Sequence, residues 1–73
     1  MPRLPAVSGE EASRALERLG FKRVRQRGSH VVLRRGEIGC VVPLHSDLSI
    51  GTLHGILKLA QVSVDEFIAA LKK

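Results

Sequence analysis

"HVVLRRGEIGCVVP", residues 30–43, decides how this chain folds. Branched aliphatics stand on both sides of Gly36-Glu37, and a two-residue loop with glycine first is what a type II′ hairpin turn requires. A turn there sets Arg35 against Ile38, Leu33 against Cys40 and Val31 against Val42. Side chains alternate across a strand, so Val31, Leu33, Ile38, Cys40 and Val42 share one face. His30, Val32, Arg34, Gly39, Val41 and Pro43 share the other. The first face is the more apolar and is expected against the helices. His30 then opens toward solvent, near Pro43.

Working outward, residues 1–7 read as an extended lead-in with two prolines. Ser8 followed by Glu11 is a capping-box pattern that starts a helix. Ala12, Ala15, Leu16 and Leu19 make its buried stripe, and Gly20 stops it. Phe21–Arg27 reads as a polar edge strand, whose charges discourage edge-to-edge aggregation. Val24 is expected toward the core, which puts Arg23, Arg25 and Arg27 on the open face with His30 and Arg34. Gly28-Ser29 separates this strand from the next. Residues 44–49 are a loop, and Ser49 caps a helix over 50–60 with Leu53, Ile56, Leu57 and Ala60 inward. A second capping box, Ser63 with Glu66, starts a last short helix that buries Val64, Phe67, Ile68 and Leu71.

The order α-β-β-β-α, plus a short extra C-terminal helix, predicts an α+β sandwich of two layers in a single domain over 1–73. The order resembles the double-stranded-RNA-binding fold. The lysine-rich helix start usual in those domains is missing, since residues 50–57 hold no lysine or arginine.

Composition narrows the function. Twelve Lys+Arg oppose seven Asp+Glu, for a net charge of +5. Eight of the twelve are arginine, whose planar fork of donors matches phosphate. Lys22, Arg23, Arg25, Arg27, Arg34 and Arg35 cluster in sequence. This balance suits a nucleic acid or an acidic protein as partner. Phe21 and Phe67 are the only aromatics, so a sheet that reads bases by stacking is not expected. Recognition would rest on phosphate, ribose and shape.

One cysteine, Cys40, allows no internal disulfide and suits a reducing compartment. Cysteine and histidine lack the paired spacing of a structural zinc site. Glu37 and Asp47 stand apart in sequence and suggest no magnesium site, so neither metal nor cofactor is expected. No apolar run approaches the ~20 residues that span a bilayer. The opening Met1-Pro2-Arg3-Leu4-Pro5 has no apolar leader core. A cytoplasmic protein without a membrane partner is the expectation.

"LERLGFKRVRQRGSHVVLRR" followed by "VVPLHSDLSIGTLHGILKLAQVSVDEF" resembles the HicA toxin family of type II toxin–antitoxin systems. The shared marks are Gly20-Phe21, Gly28-Ser29-His30, Val42-Pro43-Leu44-His45 and Gly51-Thr52-Leu53 with Ile56-Leu57. Single pieces are weak, but four in order at the expected separations are strong. The resemblance implies an endoribonuclease that cleaves mRNA independently of the ribosome and is neutralised by a HicB-type antitoxin. It also implies that the histidine of Gly-Ser-His, His30, is catalytic. Gln61 departs from the pattern, standing where glycine is more usual.

Each candidate has a plainer reading beside the functional one. His30 is either a half-exposed strand residue or a general base for a ribose 2′-OH, since histidine exchanges protons near neutrality. His45 is either a loop residue bonded to backbone or a second proton-transfer group. Ser29 either supports the local turn or helps orient His30 or a phosphate. Lys22, Arg23, Arg25, Arg27 and Arg34 are either a solvated edge or the RNA-binding surface. Cys40 points to the core and His54 to water. A non-catalytic RNA-binding module and an antitoxin-binding module that has lost catalysis are the rival functions.

Overall fold

The computed structural model describes residues 3–73. It contains α1 (Gly9–Arg18), β1 (Lys22–Arg27), β2 (His30–Arg35), β3 (Ile38–Pro43), α2 (Ile50–Ala60) and α3 (Val64–Leu71). The strands form one antiparallel sheet in the order β1-β2-β3. This is the predicted α+β order with its additional last helix. Residues 3–7 of the expected lead-in precede α1, and its first two lie outside the described residues.

The hairpin register is the predicted one: Arg35 opposes Ile38, Leu33 opposes Cys40 and Val31 opposes Val42. Gly36 has φ +63°, while Glu37 keeps a negative φ, the sign pattern of a II′ turn. Val31, Leu33, Cys40 and Val42 are buried and meet Ala12, Ala15 and Leu16 of α1, Leu53, Ile56 and Leu57 of α2, and Phe67 and Ala70 of α3 in one apolar cluster. Burying a side chain such as Leu16 or Phe67 contributes roughly 1.5–3 kcal/mol, and this cluster carries the fold without a disulfide.

Capping accounts for where the helices begin. Ser8 Oγ accepts from the Glu11 amide at 3.0 Å, and the Ser8 amide donates back to the Glu11 carboxylate at 2.9 Å. Ser63 and Glu66 repeat the arrangement at 3.1 and 3.0 Å. Ser49 caps α2 by accepting from Thr52 N–H. The C-termini are closed partly by distant arginines. Arg35 donates to the Leu19 carbonyl while lying over the Phe21 ring, and Arg18 donates to the Ala70 carbonyl. Such contacts satisfy carbonyls that have no partner inside their own helix.

The predicted face of α2 holds, and α1 buries Ala12, Ala15 and Leu16 with Leu19 half-buried. In α3 the expected stripe is corrected: Phe67 and Ala70 are buried, while Val64, Ile68 and Leu71 are only half-buried. α1 adds one polar residue to its buried face. Ser13 is fully buried, and its hydroxyl donates to the Gly9 carbonyl at 2.8 Å, so its burial leaves no unmet polar group.

Gln61 adopts the left-handed conformation, φ 57° and ψ 40°, as the C-cap of α2. A β-carbon there is strained by about 1–2 kcal/mol, whereas glycine is not. Gln61→Gly is therefore expected to raise stability by roughly 0.5–1 kcal/mol after glycine's larger unfolded-state entropy is counted. A shift of the urea midpoint to higher concentration with unchanged m-value checks this.

The first strand departs from expectation. A β-bulge falls between Arg23 and Arg25: Arg23 pairs with Leu33, Arg25 with Val32, and Val24 is the extra residue. Val24 is 54% exposed rather than packed in the core. The bulge reverses the alternation before it, so Lys22 comes onto the open face and Arg23 turns to the helix side.

Candidate functional site

The open face of the sheet is built as three rows across the strands. Arg27, His30 and Pro43 form the first, Arg25, Val32 and Val41 the second, and Lys22, Arg34 and Gly39 the third. The cations all stand on β1 and β2, while β3 contributes apolar side chains and a glycine. His30 therefore begins β2 at one end of a basic half-sheet, directly across from Arg27. At about 3.3 Å per residue, Arg34 and its neighbour Lys22 lie ~13 Å further along β2.

Arg23 is not part of this surface. It donates to both carboxylate oxygens of Glu10, at 3.1 and 2.7 Å, and to Glu17 at 3.1 Å. Its side chain is 28% exposed, against α1. The hydrogen bonds from Arg23 hold the Glu10 carboxyl below its ordinary range, although partial burial opposes them, and Arg14 adds to the effect. Hydrogen bonding to Glu10 likewise pushes the Arg23 guanidinium up against the cost of its own burial. The expected place of Arg23 on the open face is thus corrected: its guanidinium is paired with Glu10 and Glu17 of α1. Lys22, Arg25, Arg27 and Arg34 are exposed on the sheet face, and none donates to a carboxylate among the described residues.

Two features set the end of the sheet around His30. Gly28, φ +54°, and Ser29 make the two-residue turn between Arg27 and His30. The Leu44 amide donates to the Ser29 carbonyl, which fastens the chain leaving β3 to that turn. The next residue, His45, is held by its backbone, because the Gly9 amide donates to the His45 carbonyl at 2.9 Å. Its imidazole remains exposed. These links bring the His30 and His45 rings to 6.4 Å between centroids, inclined at 71°. Residues far apart in sequence become one two-histidine cluster. Ser29 is exposed and contributes its backbone to the corner; its hydroxyl makes no hydrogen bond among the described residues.

Gly9 was not singled out in the sequence, yet it supports this corner. A β-carbon on Gly9 would lie 2.7 Å from Leu44 Cα and 2.8 Å from the Pro43 carbonyl carbon, with the Pro43 oxygen nearer still. Only glycine lets α1 start against the β3 exit. Its signal was a glycine in the first turn of an otherwise well-capped helix, where it lowers helix propensity without local benefit.

The remaining candidates separate cleanly. Cys40 is buried, and burial pushes its thiol up to about 11, so it is an inert core residue. His54 is exposed on α2 and lines a shallow pocket with Arg3, Leu4, Ile50 and Val64. Among the described residues no three His, Cys, Asp or Glu side chains gather into a metal-binding group. No helix there is long and apolar enough to cross a membrane.

Among curated proteins, no sequence matches this chain. A family model described as the HicA toxin of bacterial toxin–antitoxin systems matches residues 9–62. That span runs from the first residue of α1 through the end of α2 and includes the bulged strand, the Gly-Ser-His turn and His45. With this much of the chain matched, the protein belongs to the HicA toxin family.

Proposed function

We propose that this toxin is a metal-independent endoribonuclease acting on mRNA in the cytoplasm, restrained by a HicB-type antitoxin. The observation that carries the reading is the exposed His30 at the end of a basic sheet face, within the Gly28-Ser29-His30 turn. Histidine can take the 2′-OH proton as the ribose oxygen attacks the adjacent phosphorus. The reaction needs the hydroxyl that DNA lacks. Exposed arginines beside it offer charge-assisted hydrogen bonds to the phosphate as negative charge builds on its oxygens. Arg27 stands across from His30 and suits the phosphate being cut. Arg25, Arg34 and Lys22 suit its neighbours.

The antitoxin follows from the family. An acidic segment laid on this same face would both neutralise its charge and cover His30.

Incubation of the antitoxin-free protein with single-stranded RNA and the matching DNA, with EDTA present, tests the reading. RNA is expected to be cut to fragments ending in 2′,3′-cyclic phosphate, and DNA to stay whole. Intact RNA at all protein concentrations would favour a binding module instead, and cut DNA would exclude attack by the 2′-OH.

The positioning cations are tested separately. Arg25→Ala with Arg27→Ala is expected to weaken RNA binding about equally across sequences. The slope of log K against log[salt] should fall by roughly 0.7 for each phosphate of a single strand that is no longer neutralised. Arg23→Ala should leave that slope unchanged, because its guanidinium serves Glu10 and Glu17.

A further inference from the structure

Resting on the reading of His30 as base, we infer that His45 is the general acid that protonates the leaving oxygen. Transesterification at phosphorus places the attacking and leaving oxygens roughly in line, on opposite sides of the phosphorus. One group must remove a proton at the first and another must supply one at the second. Each has to come within a hydrogen bond of its oxygen, about 2.6–3.2 Å. Rings with centroids 6.4 Å apart suit a phosphate lying over the gap between them, each apical oxygen within reach of one ring.

The chain provides the other requirements for such a role. His45 is exposed, so its ring is open to substrate. Its main chain is fixed by the Gly9 amide, and the preceding residue is tied to the Ser29 carbonyl. The imidazole itself has no hydrogen bond or ion pair among the described residues. The two residues thus belong to one hydrogen-bonded corner, and the exposed His45 ring makes no hydrogen bond there among the described residues.

The step balances. Neutral His30 takes the proton of the 2′-OH, and the ribose oxygen forms a bond to phosphorus. The bond from phosphorus to the 5′-oxygen breaks as protonated His45 gives that oxygen its proton. The products are a 2′,3′-cyclic phosphate and a free 5′-hydroxyl. His30 ends protonated and His45 neutral, and exchange with water restores both.

A leaving-group substitution separates this role from positioning. An RNA oligonucleotide is prepared with sulfur replacing the 5′-oxygen at the bond that the wild type cuts. A thiolate leaves without protonation, so loss of the acid no longer matters. On the ordinary oligonucleotide, His45→Ala and His45→Gln are each expected to be slower by roughly 10²–10⁴-fold. On the sulfur substrate both should approach the wild-type rate, while His30→Ala should stay slow. Melting temperatures equal to wild type are expected, since only the His45 carbonyl serves the fold. Equal slowing of the His45 variants on both substrates would overturn the acid role, as would full activity on ordinary RNA. If His30→Ala cleaves like wild type, the base assignment itself falls, a result distinct from either.

Discussion

His30→Ala is expected to lose roughly 10²–10⁴-fold in the rate of RNA cleavage, the usual contribution of one proton-transfer group. The loss should appear in single-turnover rate at saturating protein, with RNA affinity within a few-fold of wild type. That division follows from the geometry. Arg25, Arg27, Arg34 and Lys22 face solvent on the same side of the sheet, and they remain in the variant. The His30 side chain is exposed and makes no hydrogen bond among the described residues, so its removal leaves no buried group unsatisfied. Expression without antitoxin offers a second readout: the wild type should arrest growth and the variant should not. If the variant cleaves as fast as wild type with EDTA present, the two-histidine corner is not the reaction centre. If it binds RNA far more weakly, His30 contributes to binding rather than to proton transfer.

The parts of this site that sequence disclosed and the parts it concealed have different physical origins. The pairing of β2 with β3 was legible because one face is apolar and the turn chemistry is local. A slip by one residue would expose Val31, Leu33, Cys40 and Val42 together. The helix starts were legible because Ser8 and Ser63 bond to residues three positions away.

β1 had neither advantage. It carries one aliphatic residue, Val24, among cations and Gln26, so alternation could be anchored only on that valine. The bulge made Val24 the extra residue and inverted the position of Arg23. What draws Arg23 to the helix side is a pair of carboxylates on α1, Glu10 and Glu17, and neither contact is local. The resemblance pointed to His30 from sequence, and charge pattern added the surface around it. The hairpin register, which sets His30 against Pro43, already put His45 near the same end of the sheet; its 6.4 Å approach depended on a corner closed by Ser29, Leu44 and Gly9, contacts that no spacing along the chain encodes.

Among the glycines, that corner makes Gly9→Ala the substitution whose added methyl meets the closest backbone contacts. Helix propensity alone argues the other way, since alanine is favoured over glycine by about 1 kcal/mol in a helix. Packing reverses the sign. The new β-carbon would sit 2.7 and 2.8 Å from Leu44 Cα and the Pro43 carbonyl carbon, and both are backbone atoms that no rotamer change can move. Either α1 shifts on the sheet or the β3 exit is displaced. Overpacking of this kind costs roughly 1–3 kcal/mol or more. A chain of 73 residues has on the order of 4–11 kcal/mol of stability in total, so the loss is a large share. Gly55 supplies the control, because it lies inside α2 with nothing within 4 Å of an added β-carbon. Gly55→Ala should raise the urea midpoint by the propensity gain while Gly9→Ala lowers it, both with unchanged m-values. Gly9→Ala should also slow cleavage in its folded fraction, because moving Leu44 carries the backbone that holds His45. Equal midpoints for the two variants would mean that α1 and the β3 exit do not touch at Gly9, and the fixed spacing of His30 and His45 would lose its support.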